Sequence, residues 1–213
     1  MKAPKNEGGD FFTVPEGMYE AVCGYIVDCG YHKREFQGET SQKRMIWLRW
    51  ELPNVLLPDG EFAGEPAVVG RTVTFSMHSK ATLRQMLESW RGKSFSDEEA
   101  YDFDVAKLLN VNAKLQIIHR KVVVDGKERV YANINLVLPG DTDHKAKQTL
   151  VFDTEAPGAH EQFDELPEHV KRRINMPTQP KPREFIDQKV HDYADVISSQ
   201  VAAEEDLNDD IPF

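Results

Sequence analysis

Lys43, Trp47 and Arg49 lie within the run Lys43-Arg-Met-Ile-Trp-Leu-Arg-Trp-Glu-Leu52. Side chains of an extended chain alternate between two faces, so Lys43, Met45, Trp47 and Arg49 share one side, and Arg44, Ile46, Leu48 and Trp50 the other. The second set is core-like. The first is cationic and aromatic, which suits a single nucleic-acid strand: positive groups track its phosphates, and an indole gives a base a flat face worth roughly 1–3 kcal/mol per stack. The same residues have a second use, in which a C-terminal segment covers Trp47 and the cations form a solvated face. Further positive groups stand at Lys33 and Arg34, and at Arg120, Lys121 and Arg129 near Tyr131. Another set, Lys80, Arg84, Arg91 and Lys93, follows helical spacing, and exposed helix faces are ordinarily charged.

Catalytic patterns are missing from the chain. There is no Gly-rich phosphate loop ending in Gly-Lys-Ser/Thr, no Gly-x-Ser-x-Gly and no His-Glu-x-x-His, and the 7 histidines are scattered. Asp97, Glu98 and Glu99 read as the negative first turn of a helix, stabilised by its dipole. The expectation is a protein that is not an enzyme and needs neither metal nor cofactor.

The elements that must position the cations can be read from periodicity. Residues 18–28 alternate as a first strand, with Tyr19, Ala21, Cys23, Tyr25 and Val27 on one side. A polar stretch, 30–42, reads as the loop carrying Lys33 and Arg34 into a second strand, 43–52, that stops at Pro53. A Pro/Gly-rich loop, 54–69, precedes a third strand over 71–77. Leu83, Met86, Leu87 and Trp90 then recur at helical spacing, with Ser79 as N-cap and Arg91-Gly92 as stop. Ser96 to Glu99 is a capping-box pattern, and Asp104 caps a further turn through Leu109. Residues 111–124 and 127–138 alternate around Asp125-Gly126, a strong hairpin signal. The class is mainly β with one principal helix. Three strands, a helix and a closing hairpin (β-β-β-α-β-β) is the element order of a five-stranded OB-fold barrel, whose loops 1–2 and 4–5 embrace oligonucleotides; any α+β meander of similar size is the alternative.

The order divides the 213 residues into an N-terminal arm (1–14), a domain (15–140) and an extension packing on it (141–176). A Pro-rich linker with an amphipathic helix (177–203) and an acidic tail (204–213) complete the chain. Within the extension, 150–152 suggests a short strand and 166–175 a basic-ended helix. Ile186, Val190, Tyr193, Ile197 and Val201 make the stripe of the later helix, suited to packing on its own domain or on a sister subunit. The formal charge of -10 is unevenly spread. Residues 19–150 balance at 18 basic and 18 acidic groups, whereas 151–213 carry 6 and 15. Balance does not exclude nucleic acid, because cations gathered on one face still make a basic groove. With no apolar run long enough for a membrane and no secretory leader, a cytoplasmic location is expected, and Cys23 and Cys29 should be buried reduced thiols.

The chain ends Asp206-Leu-Asn-Asp-Asp-Ile-Pro-Phe213, which closely resembles the acidic tail of bacterial single-stranded DNA-binding proteins. The body also looks like phage-encoded single-stranded DNA-binding proteins, through Gly17-Met-Tyr-Glu-Ala-Val22, Trp47-Leu-Arg-Trp-Glu-Leu-Pro53, Lys80-Ala-Thr-Leu-Arg84 and Trp90-Arg-Gly92. That likeness covers roughly residues 15–140. It implies an OB-fold that binds single strands without sequence preference in replication or recombination, in the host cytoplasm. Its DNA contacts would be Lys33, Arg34, Lys43, Trp47, Arg49, Arg120, Lys121, Arg129 and Tyr131. In the tail, Asp206, Asp209 and Asp210 would supply attraction and Ile211, Pro212 and Phe213 the anchor for a replication or repair partner. An OB-fold adaptor for proteins and a strand-annealing recombination mediator are the rival readings, and a homo-oligomer is compatible with each.

Overall fold

The computed structural model describes residues 12–36, 39–124 and 127–177. In chain order these form β1 (Gly17–Phe36), β2 (Glu39–Leu56), β3 (Pro66–Thr74), α1 (Thr82–Arg91), α2 (Asp97–Tyr101), a 3₁₀ turn (Val105–Leu108), β4 (Asn112–Val124), β5 (Lys127–Pro139), β6 (Leu150–Phe152), α3 (Ala159–Glu165) and α4 (Glu168–Lys171). The fold is mainly β, an open sheet ordered β3-β2-β1-β4-β5 with antiparallel neighbours. β6 adds to β1 in parallel. The outer strands β3 and β5 approach one another but share no ladder. Among the described residues, no helix is long and apolar enough to cross a membrane. The linker and amphipathic helix from residue 178 onward, the tail, residues 1–11 and the Asp125-Gly126 turn lie outside the described residues.

Several elements differ from expectation, each for a local reason. β1 runs past residue 28 to Phe36 and β2 begins at Glu39, so the expected polar loop is a two-stranded arm. Its polarity reflects solvent on both sides rather than loss of pairing. Pro53 does not end β2. It interrupts the ladder, which pairs Leu52 with Ala67 and resumes at Leu56 and Pro66, as a residue without an N–H must. β3 accordingly starts at Pro66, earlier than expected. α1 stops at Gly92 in the left-handed conformation (φ 70°), but it starts behind Ala81 without a side-chain cap, not at Ser79. The capping box of Ser96 and Glu99 and the Asp104 cap form as expected. Of the expected helix over 166–175 only α4, Glu168–Lys171, forms, starting behind Pro167; α3, which precedes it, was not expected.

Two cores share the central strands. In the first, Ile46, Leu48, Trp50 and Leu52 of β2 meet Leu83, Leu87 and Trp90 of α1 and Leu115 and Ile117 of β4. Each such side chain, fully buried, stabilises by about 1.5–3 kcal/mol. In the second, Tyr25, Val27, Cys29, Met45 and Trp47 meet Phe152, Ala159, Leu166 and Val170 of the extension. Both cysteines are free and buried. Burial pushes the Cys23 thiol up to about 12, and burial with the neighbouring Asp28 charge pushes Cys29 up to about 11, so both stay protonated.

The extension crosses β1 where glycine lets it. Register shifts fall between Cys23 and Tyr25 and between Asp28 and Gly30. A Cβ on Gly24 would strike the Gln148 carbonyl oxygen, and one on Gly30 the Asn175 carbonyl oxygen. Gly30 has φ 71°, and Asn175 donates its N–H to the Cys29 carbonyl at 2.8 Å. Gly30→Ala should therefore lose more stability than Gly60→Ala, where φ is also positive (83°) but a Cβ meets nothing within 4 Å. The control should cost about 1–2 kcal/mol of backbone strain alone. Urea midpoints read the difference, and equal losses at both positions would show that Asn175 yields freely.

Candidate functional site

Alternation along β2 is realised, yet its cationic face is closed from Met45 to Arg49. Trp47 is 4% exposed. The Arg173 guanidinium lies 4.2 Å from its ring centroid, Tyr25 meets it edge-on at 6.0 Å, and the indole lies over Gly70. Arg49 is 7% exposed, stacked on Tyr25 at 3.9 Å, and donates to Gln148 Oε1 at 3.0 Å. Of the two uses read for this face, the structure shows the covered one. Trp47 and Arg49, as they stand, offer nothing to a strand, because the extension needs their surface to bury its own apolar side chains.

Charges buried with that surface hold the extension down. Glu51 accepts the backbone N–H groups of Lys147 and Gln148 at 2.7 and 2.9 Å. Arg44 reaches Asp28 at 2.8 Å, Asp153 at 3.0 Å and Glu155 at 2.8 Å. Asp28, 3% exposed, also accepts the Thr154 backbone N–H and hydroxyl and the Gly30 N–H. Burial alone would raise the Asp28 carboxyl; the hydrogen bonds from Arg44 and Thr154, with the Arg44 charge, outweigh it and hold the group below the usual carboxylate range.

The remaining cations stand on two arms, one at each end of β1. On the β1–β2 arm Lys33 faces Gln42, Arg34 faces Ser41 and Lys43 faces His32 across the ladder. Arg34 and Lys43 thus share one face and Lys33 takes the other. All three are exposed, and none forms an ion pair with a described residue. On the β4–β5 arm Arg120 faces Tyr131 and Val122 faces Arg129, so both arginines and the tyrosine lie together. Lys121 is on the opposite face, paired with Glu128 at 2.9 Å.

The helical set is structural where it is charged most heavily. Arg84 braces Glu88 at 3.1 Å and Asp97 at 2.6 Å, and Arg91 lies over Phe95 at 4.0 Å. Asp206, Asp209, Asp210, Ile211, Pro212 and Phe213 fall outside the described residues. Sequence reasoning missed Met18, Ile118, Val122 and Leu136, which are exposed on the outer side of β1, β4 and β5. The signal was there: Met18, Ile118, Val122 and Leu136 are apolar residues interspersed among polar ones on the side that alternation assigns to solvent. No protein-family model matches this chain, and no curated protein matches it.

The Asp28 cluster makes a pH test possible. Its folded value is depressed, so its stabilisation is complete above the unfolded value near 3.9 and disappears as pH falls through the lower folded value. Asp28→Asn should cost about 1–3 kcal/mol at neutral pH, with a gap to wild type that narrows only below roughly pH 4. Chemical denaturation of both proteins between pH 7 and pH 3 measures it. A gap that stays constant with pH would show that Asp28 does not titrate with folding.

Proposed function

We propose that this protein binds single-stranded DNA without sequence preference, as part of phage replication or recombination in the host cytoplasm, and recruits partners through its acidic tail. The observation that carries the reading is the placement of exposed cations that form no ion pair with a described residue. In a chain of charge -10, Arg34 with Lys43 and Arg120 with Arg129 stand exposed on projecting hairpins, the second pair beside Tyr131. Isolated cations with an aromatic ring suit a flexible polyanion with open bases. The β-β-β-α-β-β order and the approach of β3 to β5 support an OB-fold for the sheet. The chemistry asked of the protein is binding alone, with no cofactor.

Anisotropy of labelled oligo(dT) at several salt concentrations tests the reading. Affinity should fall steeply with salt, and Arg34→Ala, Lys43→Ala, Arg120→Ala and Arg129→Ala should each lower the log–log slope by about 0.7. Trp47→Ala should instead mainly unfold the protein, a loss of about 3–5 kcal/mol for a buried ring. Absence of binding at any salt would transfer the reading to a protein adaptor.

The tail reading has its own test. Five carboxylates among residues 204–213 supply long-range attraction, and Phe213 supplies a ring. Phe213→Ala should abolish capture of a replication or repair protein from host lysate while leaving oligo(dT) affinity within about twofold, since hot-spot rings carry binding that charges only steer. Capture that survives both Phe213→Ala and deletion of residues 206–213 removes recruitment from the function.

A further inference from the structure

The two outer faces of this sheet have different fates. On the middle of β1 and on β2 the extension covers the outward side chains. On the first residues of β1 and on β4 and β5, the outward side chains stay open. The register places them in successive rows: Met18 with Gln116 and Leu136, then Ile118 with Asn133, Arg120 with Tyr131, and Val122 with Arg129. Along β4 these rows span about 20 Å, at 3.3–3.4 Å per residue. Met18 is 53% exposed and Tyr131 43%, and Ile118, Val122 and Leu136 are exposed as well. Neither arginine forms an ion pair with a described residue, and no carboxylate stands in the four rows. The adjacent Glu16 is engaged with the His119 backbone N–H at 2.7 Å.

We propose that this face, and not the cationic face of β2, contacts the bases of the single strand. The inference rests on the single-stranded DNA reading above and deepens it. Tyr131 is the stacking platform, Met18, Ile118, Val122 and Leu136 line the path of the bases, and Arg120 and Arg129 take phosphates. A duplex keeps its bases stacked on one another and leaves Tyr131 without a partner. A second copy of the chain is disfavoured by charge. In a two-fold pairing the same patch meets itself, which gathers four arginines in one interface with no carboxylate from these rows to offset them.

The test uses the full chain and labelled oligo(dT). Tyr131→Ala should weaken binding roughly 5- to 150-fold, from a stack worth about 1–3 kcal/mol. The slope of affinity against salt should stay as in wild type, because a stack is lost and no phosphate contact. Tyr131→Phe should restore binding, and Ile118→Glu should weaken it by setting a carboxylate in the path. Both sites are exposed, so melting temperatures should barely move. Photo-crosslinking of oligo(dT) to the unaltered protein should label peptides from 116–136, and that readout needs no variant. If wild type binds while Tyr131→Ala and Ile118→Glu bind equally well, this face is excluded and the DNA reading survives. If wild type fails to bind at all, both fall. Sedimentation of wild type as a dimer that Ile118→Glu splits, with DNA binding unchanged, gives the face to a second copy and overturns the proposal.

Discussion

The middle of β1 is buried on both of its faces. From Ala21 to Gly30 every residue is inaccessible, including Asp28. A strand in an antiparallel sheet ordinarily needs one apolar face and shows the other to water. Here both faces need cover, and the chain supplies two. α1 and its neighbours close one side, and residues 145–176 close the other. The extension is therefore part of the domain's core, and the residues it occupies, Trp47 above all, are withdrawn from the surface.

That second cover is fixed by polar as well as apolar contacts, and the polar ones set its position. Apolar burial is non-directional. Gly24 and Gly30 leave room for the backbone at Gln148 and Asn175, Glu51 receives two consecutive N–H groups, and Arg44 gathers Asp28, Asp153 and Glu155. Together these specify one crossing path. Some groups are left unmatched: the Trp50 indole N–H is buried without a partner among the described residues. Leaving it so costs about 1–3 kcal/mol. The ring's packing against Trp90 at 5.5 Å offsets that cost.

Much of the fold was legible because it follows from short-range pattern. The β4–β5 hairpin, α1 with its Gly92 stop, the Ser96 capping box and even the three-residue β6 could be read, each from alternation, helical spacing or a cap. The β1–β2 arm could not, since residues 30–42 are polar on both sides and a strand in water has no hydrophobic period. α3 could not be read either, because its Ala159–Glu165 run has no apolar stripe. At the candidate site, the faces of β2 were assigned correctly but their exposure was not. Exposure depends on what packs from more than 100 residues away, as Arg173 does on Trp47, and no local pattern holds that information. Both uses of the face fitted the same letters.

The fate of the three tryptophans then bears on how such a protein would hold a strand. Trp47, Trp50 and Trp90 are each at most 4% exposed, so the largest stacking rings serve the cores. What the arms and the open face present is smaller: Tyr31 and Tyr131, a few aliphatic side chains and cations on flexible stems. On the proposed reading, the free energy of binding shifts from stacking toward phosphate contacts, which act through released counterions and weaken with salt. Contacts of that kind are indifferent to base identity, as a protein that coats any exposed strand requires. They are also open to competition from any tethered polyanion at high local concentration. The five carboxylates that close this sequence are such a polyanion, so the same electrostatics that would make binding sequence-tolerant would make it responsive to whatever engages the tail.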